Sequence, residues 1–443
     1  MEQLTREELS VDREKAVLVG CLLPGTPTNP HDPLDELRSL ADTAGAVVVD
    51  EMLQKKHKPS AKTFIGKGKV LELADRVKAH DASVVIFENN LTPSQIGNIE
   101  EIIEVKVLDR SELILDIFAS RAATHEARLQ VELAQLEYTY PRLRAMWSHL
   151  ERIVGGAPAG IGTRGPGEQQ LEIDRRIVQR KKTQLKREIT DIQSRKTREV
   201  ASRNKDHFTV GLVGYTNAGK STLFNTLTDG KAYADDKLFA TLSTRTRKWN
   251  LGGGDTAMLS DTVGFVRDLP HNLVASFKAT LEEAVHSDLL LIVLDVADAR
   301  AQQEYDTVIQ VLDEIGADQP HRLLVLNKID KLNHNGDLLV FTQDHPDAVP
   351  VSARTGRGVD QLVEQVRQHA HGKTQQLAIT LAASDGKAIG FLENRAQVLD
   401  RDYAGNQVTL TVRIGTRQLE QLRAMGSSAR YLDDTPDPRG WGR

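Results

Sequence analysis

Cysteine is nearly missing from these 443 residues: only Cys21 is present, which excludes an intrachain disulfide framework and suits a reducing compartment. Long apolar runs are missing too. The longest, "LLLIVLDVA", is far below the roughly 20 residues that cross a bilayer, and the amino terminus "MEQLTREELSVDREK" has no apolar core of the signal-peptide kind. A cytoplasmic protein with no membrane span is expected. A strong net charge of either sign is absent as well, at −5 overall, so the average offers no argument for a polyanionic partner. The 40% hydrophobic and 27% charged fractions are those of an ordinary globular protein. The length suggests about three domains at roughly 150 residues each.

The average conceals an asymmetry. Between Arg175 and Lys205 there are 12 lysines and arginines against 3 acidic residues. A concentrated positive stripe on an otherwise acidic chain steers toward a polyanion in one orientation; a solvated helix face is the other reading. Arg175, Arg176, Lys181 and Lys182 are the candidate RNA contacts in it.

From about residue 15 to 118, short apolar runs alternate with helical patterns, beginning "KAVLVGCLL", "DPLDELRSLADTAG", "AVVVDEML". That alternation predicts β-α-β units and a parallel sheet, an amino-terminal α/β domain over 1–118. Its "FIGKGK" turn, Phe64 to Lys69, places two glycines and two lysines at a helix start, where backbone N–H groups can hold an anion. The longer glycine fingerprint is missing, which favours a plain turn.

After Ala127 the apolar spacing changes to fours and threes, through Leu129, Leu133, Leu136, Tyr140, Leu143, Trp147 and Leu150, a coiled-coil-like seam with Pro141 as a break. A second helical stretch carries Ile177, Leu185, Ile189 and Ile192. An antiparallel helical hairpin over 119–206 follows. Between its arms lies "GGAPAGIGTRGPGE", 155–168, whose prolines, single Arg164 and position favour a shaped tip over a flexible linker, with Arg164 a further candidate RNA contact.

Residues 207–372 predict a second parallel α/β domain. An apolar strand leads into G-x-x-x-x-G-K-S and then a helix, the context in which glycine-rich backbone wraps phosphates. The candidate cradle is Gly214, Tyr215, Thr216, Asn217, Ala218, Gly219, Lys220, Ser221 and Thr222, with Lys220 set against the β and γ oxygens and the Ser221 hydroxyl for Mg²⁺. "FATL" adds Phe239, Ala240 and Thr241, the last a second Mg²⁺ and γ-phosphate ligand. Asp261, Thr262, Val263 and Gly264 form D-x-x-G, the γ-phosphate sensor. Lys220, Thr241 and Gly264 are the catalytic candidates. "NKID" supplies Asn327, Lys328 and Asp330, whose carboxylate matches the two donors of guanine and rejects adenine. Ser352, Ala353 and Arg354 complete the base pocket.

A glutamine that holds the attacking water often follows D-x-x-G. Here Phe265 stands there, and a phenyl ring cannot hold water. Residues 373–443 read as strand, helix, strand, helix, a small carboxy-terminal α+β domain with "KAIGFLENRAQVLDRDY" as its first helix.

The chain resembles the HflX family of ribosome-associated GTPases. The resemblance is carried by "GIGTRGPGEQQLEIDRR" (160–176), "GYTNAGKSTLFN" (214–225), "LFATL" (238–242) and "DTVGFVRDLP" (261–270). It departs from the family pattern by the added "APA" at 157–159 and by Ser243 and Thr244 in place of Asp-Pro. The resemblance implies a hydrophobic residue in place of the glutamine, Phe265 turned away from the phosphate, and turnover that is slow until a large partner orders the switches. It implies two readings of Asn217, a residue near a monovalent cation such as K⁺ or one bonding its own loop.

The function it implies is a GTP-driven switch, monomeric when free, that binds the large ribosomal subunit and its RNA and splits ribosomes into subunits, with the tip reaching the catalytic centre of that subunit. The alternative is an NTP-dependent RNA remodelling enzyme with a second nucleotide site at "FIGKGK". A signalling GTPase with a protein partner leaves the basic stripe without a purpose.

Overall fold

The computed structural model describes residues 14–25, 29, 32–138, 176–195, 207–228, 245–252, 255–267, 285–317, 320–332, 336–371 and 374–432. The seam residues Tyr140, Leu143, Trp147 and Leu150, the tip at 155–168 with Arg164, and Arg175, Phe239, Ala240 and Thr241 lie outside the described residues.

The amino-terminal sheet consists of β1 (Lys15–Leu22), β2 (Val47–Lys55), β3 (Val84–Phe87) and β4 (Lys106–Asp109), parallel throughout, in the order β2-β1-β3-β4. Strand β1 shows why its sequence is almost continuously apolar. Its alternate side chains enter two different cores, Ala16 and Leu18 on one face, Val17, Val19 and Cys21 on the other. Helices α2 (Lys67–His80) and α3 (Pro93–Ile103) close the second face through Val70, Leu73, Ile96 and Ile99. Thr92 caps α3 by a reciprocal pair with Gln95, and Pro93 opens it.

Helices α1 (Asp35–Ala44) and α4 (Arg110–Arg121) cover the first face. That core does not stop at the domain edge. Leu37, Leu40, Ile114 and Phe118 share it with Val213, Phe265, Leu290 and Ile292 of the nucleotide domain.

The "FIGKGK" segment is a closed β-α turn. Ser60 and Phe64 exchange backbone hydrogen bonds, the Gly66 N–H donates to Gln54 Oε1 at 2.9 Å, and Lys69 pairs with Glu72 at 2.7 Å.

Helices α5 (residues 125–138) and α6 (residues 176–195) pack through Leu129, Leu133 and Leu136 against Leu185, Ile189 and Ile192. Ile177, expected in the seam, is 58% exposed.

Among the described residues the sheet of the nucleotide domain has six strands in the order β10-β9-β8-β5-β7-β6: β5 (Phe208–Gly214), β6 (Arg245–Gly252), β7 (Asp255–Asp261), β8 (Leu289–Asp295), β9 (His321–Asn327) and β10 (Val349–Pro350). Five are mutually parallel, but β6 runs antiparallel to β7 at the edge. Its apolar residues Trp249 and Leu251 point to the core, with the exposed Arg247 guanidinium over the Phe224 ring on that same face and Lys248 on the other, a half-exposed edge strand that a search for fully apolar runs passes over. Helices of this domain among the described residues include α7 (Lys220–Thr228), α8 (Ala301–Glu314), α9 (Gly336–Asp344) and α10 (Val359–His371).

The carboxy-terminal sheet is antiparallel, with β11 (Thr374–Ala382), β12 (Gln397–Ala404), β13 (Gln407–Gly415) and β14 (Arg430–Leu432) ordered β12-β13-β11-β14. Helices α11 (Gly386–Arg395) and α12 (Thr416–Ala424) share a separate core with it. The helix expected over "KAIGFLENRAQVLDRDY" ends at Arg395, and its second half is strand β12. Pairing with β13 overrides the local pattern there, because β12 is exposed along nearly its whole length and carries no apolar alternation to announce itself.

Candidate nucleotide site

Strand β5 is buried and ends at Gly214, where the chain turns through the phosphate loop into α7 at the carboxyl ends of the parallel strands. Gly219 has φ +94°, and a Cβ there would lie 2.3 Å from Asn327 Nδ2, so only glycine permits the close approach of loop and base strand. Asn217 is exposed, at φ 60°, a left-handed value that asparagine tolerates.

Lys220, 6% exposed, donates from Nζ to the carbonyls of Gly214 (3.0 Å) and Tyr215 (2.6 Å). Burial pushes its pKa down to about 8, with Asp261 and Glu304 pulling the other way. An arriving triphosphate supplies the negative charge that burial has withheld. Thr216 Oγ1 is buried without a hydrogen-bond partner among the described residues, and Thr222 stands in the first turn of α7.

The Ser221 hydroxyl donates to Asp261 Oδ2 at 2.9 Å, with Asp261 1% exposed at the end of β7. Hydroxyl and carboxylate are the hard oxygen donors Mg²⁺ selects, and their closeness at the start of α7 fits one held by Ser221 with Asp261 behind it. When bound, the ion neutralises charge on the β and γ phosphate oxygens.

The sensor segment is clasped to the loop. The Thr216 N–H donates to the Phe265 carbonyl (2.7 Å) and the Phe265 N–H to the Gly214 carbonyl (3.1 Å), making a parallel bridge between Tyr215 and Phe265. Thr262 donates to the Leu212 carbonyl at 2.6 Å, and Val263 is buried. Gly264 faces Lys220 so closely that a Cβ would lie 2.9 Å from Nζ. The Phe265 ring, 2% exposed, belongs to the apolar core shared with the amino-terminal domain.

In the base pocket Asn327 is a strut. Its Nδ2 donates to the Ala218 carbonyl (2.8 Å) and its Oδ1 accepts the Ala353 N–H (3.0 Å), tying phosphate loop to base loop. The Ser352 hydroxyl donates to Asp330 Oδ1 at 2.7 Å, and that bond holds the Asp330 carboxyl below its ordinary pKa, with Arg354 adding to the effect. Asp330 is therefore an exposed, ionised acceptor. Lys328, at φ 64°, pairs with Asp295 at 2.6 Å.

Sequence reasoning passed over Asp295 and Glu304. Asp295 had a signal, as the last residue of the most apolar strand and hence at the carboxyl edge where ligands bind. Glu304 had none: burial, then Asp298, pushes its pKa up to about 8, and only the fold brings it near Lys220. Among the described residues no helix is long and apolar enough to cross a membrane.

A glycine-rich loop with its lysine, a hydroxyl beside a strand-end aspartate and an ionised carboxylate at the base position define a P-loop GTPase, which binds guanine nucleotides and hydrolyses GTP. Profiles of known families match along the chain: "GTP-binding GTPase N-terminal" at 31–119, "GTP-binding GTPase Middle Region" at 121–203, "50S ribosome-binding GTPase" at 209–328 and "HflX C-terminal domain" at 337–435. GTPase HflX of Escherichia coli (strain K12) is 44% identical over 376 residues, 84% of this chain and 87% of its own length. GTPase HflX of Lacrimispora saccharolytica is 40% identical over 89% of this chain and 92% of its own, and that of Caldanaerobacter subterraneus subsp. tengcongensis 40% over 94% and 95%. The chain belongs to the HflX family.

Proposed function

We propose that the protein is a GTP-driven switch that binds the large ribosomal subunit and splits stalled or idle ribosomes into subunits. It has four units, 1–118, 119–206, 207–372 and 373–443, and acts in the cytoplasm as a monomer when free. The observation that carries this reading is the likeness of residues 209–328 to the "50S ribosome-binding GTPase" profile, joined in the same chain to a strongly basic helix. On α6, Arg176, Arg180 and Arg187 share one exposed face, at the spacing that meets successive phosphates. Lys181 and Lys182 pair instead with Glu132 (3.1 Å) and Glu137 (3.4 Å) across the hairpin.

Ser221 and Thr241 would hold the Mg²⁺ that neutralises phosphate charge; bound GTP orders the sensor segment and favours the ribosome-bound conformation, and loss of the γ-phosphate releases it. Turnover is slow in the free protein and rises on the ribosome, which positions the water that Phe265 cannot hold. In this reading Asn217 would hold a monovalent cation such as K⁺ near the phosphates. The glycine-rich tip couples binding to splitting.

The test is light scattering of intact ribosomes beside pelleting with large subunits, in GTP analogue and in GDP. Replacing 157–166 by a short Gly-Ser turn should retain analogue-dependent pelleting and lose splitting. Splitting by that variant at the rate of the parent removes the tip from the mechanism. Pelleting that ignores the nucleotide removes the switch.

A further inference from the structure

The Tyr215 hydroxyl sits where three parts of the chain meet. It donates to Glu36 Oε1 (2.6 Å), in the first turn of α1, and accepts the backbone N–H of Arg267 (2.8 Å), three residues beyond Gly264. Glu36 is held by Arg110 Nη2 at 2.8 Å, while Arg110 Nη1 bonds Glu88 at 3.0 Å and the Arg267 guanidinium closes the ring onto Glu88. Arg110 is 1% exposed, Tyr215 6%, and Glu36 and Glu88 8% each.

Two carboxylates balance two guanidinium groups in this buried network, so it holds its charges without a net field. Phosphate binding uses the backbone of residue 215, whose carbonyl accepts from Lys220, and has no need of a phenol there. A phenylalanine ring fills the same apolar space, so the buried hydroxyl matters through its two hydrogen bonds.

We propose that Tyr215 is a positioning residue for hydrolysis: its hydroxyl, oriented by Glu36 and Arg110 of the amino-terminal domain, holds the Arg267 N–H and thereby sets where Gly264 stands against the γ-phosphate. The amino-terminal domain thus reaches the reaction through a hydrogen-bonded relay, beside the Arg267 ion pairs and the shared apolar core. The inference rests on the GTPase activity and is independent of any ribosome binding.

The full-length Tyr215→Phe protein tests it, with GDP affinity and single-turnover GTP hydrolysis measured side by side and thermal unfolding as the control for folding. GDP affinity should stay within about twofold, while the hydrolysis rate falls by about tenfold, the equivalent of one hydrogen bond to a charged group. Glu36→Gln should lower the rate less, and combining it with Tyr215→Phe should add little, since the carboxylate acts through the hydroxyl. If Tyr215→Phe does not fold, Glu36→Gln alone carries the same comparison. A folded Tyr215→Phe protein that hydrolyses at the parent rate overturns the proposal. So does one that loses GDP affinity as much as rate, because the hydroxyl then builds the phosphate loop instead of placing Gly264.

Discussion

Asp330 and Lys220 show how single residues carry charge into the site by opposite routes. Asp330 is exposed and kept ionised by the Ser352 hydroxyl, the state in which a carboxylate would accept both guanine donors. Asp330→Asn should therefore weaken GTP by about a hundredfold and improve xanthosine triphosphate, because an unmatched polar edge is strongly rejected; fluorescent-nucleotide titration reads both, and unchanged GTP affinity removes the base assignment. Lys220 is buried, with a pKa lowered to about 8. Bound triphosphate raises that pKa, so binding takes up no proton well below pH 8 and approaches one proton as pH rises above it. GTP affinity should be constant on the acid side and fall toward tenfold per pH unit on the alkaline side. Calorimetry in buffers of different ionisation enthalpy, from pH 7 to 9.5, measures the proton directly, and a flat profile contradicts it. Phe265 was legible as a ring unable to hold water, and its burial in the shared core adds a reason for its presence. Phe265→Leu should leave basal turnover within a few-fold while lowering the unfolding temperature, since the ring's loss is one of packing.

At the scale of elements, the strands that the sequence announced are those whose environment is uniform. Strand β1 is apolar on both faces because both faces are covered, and α3 declares its start by Thr92, Pro93 and Gln95. The antiparallel edge strand β6 and the exposed β12 were hidden, since each is fixed by its neighbour and not by its own periodicity. Between β12 and β13 the two-residue turn at Gly405, φ +60°, and Asn406 was the available hairpin sign. In the nucleotide site the motif residues were readable by type and order. What sequence could not supply was orientation, as the basic helix α6 shows. Spacing alone made Lys181 and Lys182 phosphate contacts, but helical rotation turns them toward Glu132 and Glu137 and leaves Arg180 and Arg187 outward, without hydrogen bond or ion pair among the described residues. Arg180→Gln and Arg187→Gln should each reduce the salt slope of large-subunit binding by about one unit. Lys182→Gln should change that slope less and cost the hairpin at most about 1 kcal/mol, the range for a partly exposed pair. Equal slopes for all three variants would mean that the hairpin pairs open on RNA.

For the whole molecule, the arrangement of cores matters more than the count of sheets. Residues of β1, α1 and α4 share one apolar core with β5, β8 and the sensor segment, and two sets of ion pairs cross the same boundary: Arg300 to Asp35 at 3.1 Å, and Arg267 to Glu36 and Glu88. The carboxy-terminal sheet keeps a core of its own between Leu377 and Leu422. A shared core makes two domains one cooperative unit, because opening either exposes apolar surface of the other to water. Ligand binding to the native state should therefore stabilise the amino-terminal sheet together with the nucleotide domain. At GDP a hundredfold above its dissociation constant the gain is about 2.7 kcal/mol. The slowest-exchanging amides of β1 and β3 should then slow by the same factor as those of β5 and β8, about a hundredfold where exchange reports opening of the whole unit. Amides of β11 and β13 should be unmoved. Hydrogen exchange with and without GDP decides this strand by strand. Protection confined to β5 and β8 would show that the two domains open separately and that the shared core does not bind them into one unit, whereas protection spreading to β11 and β13 would extend the cooperative unit to the entire chain.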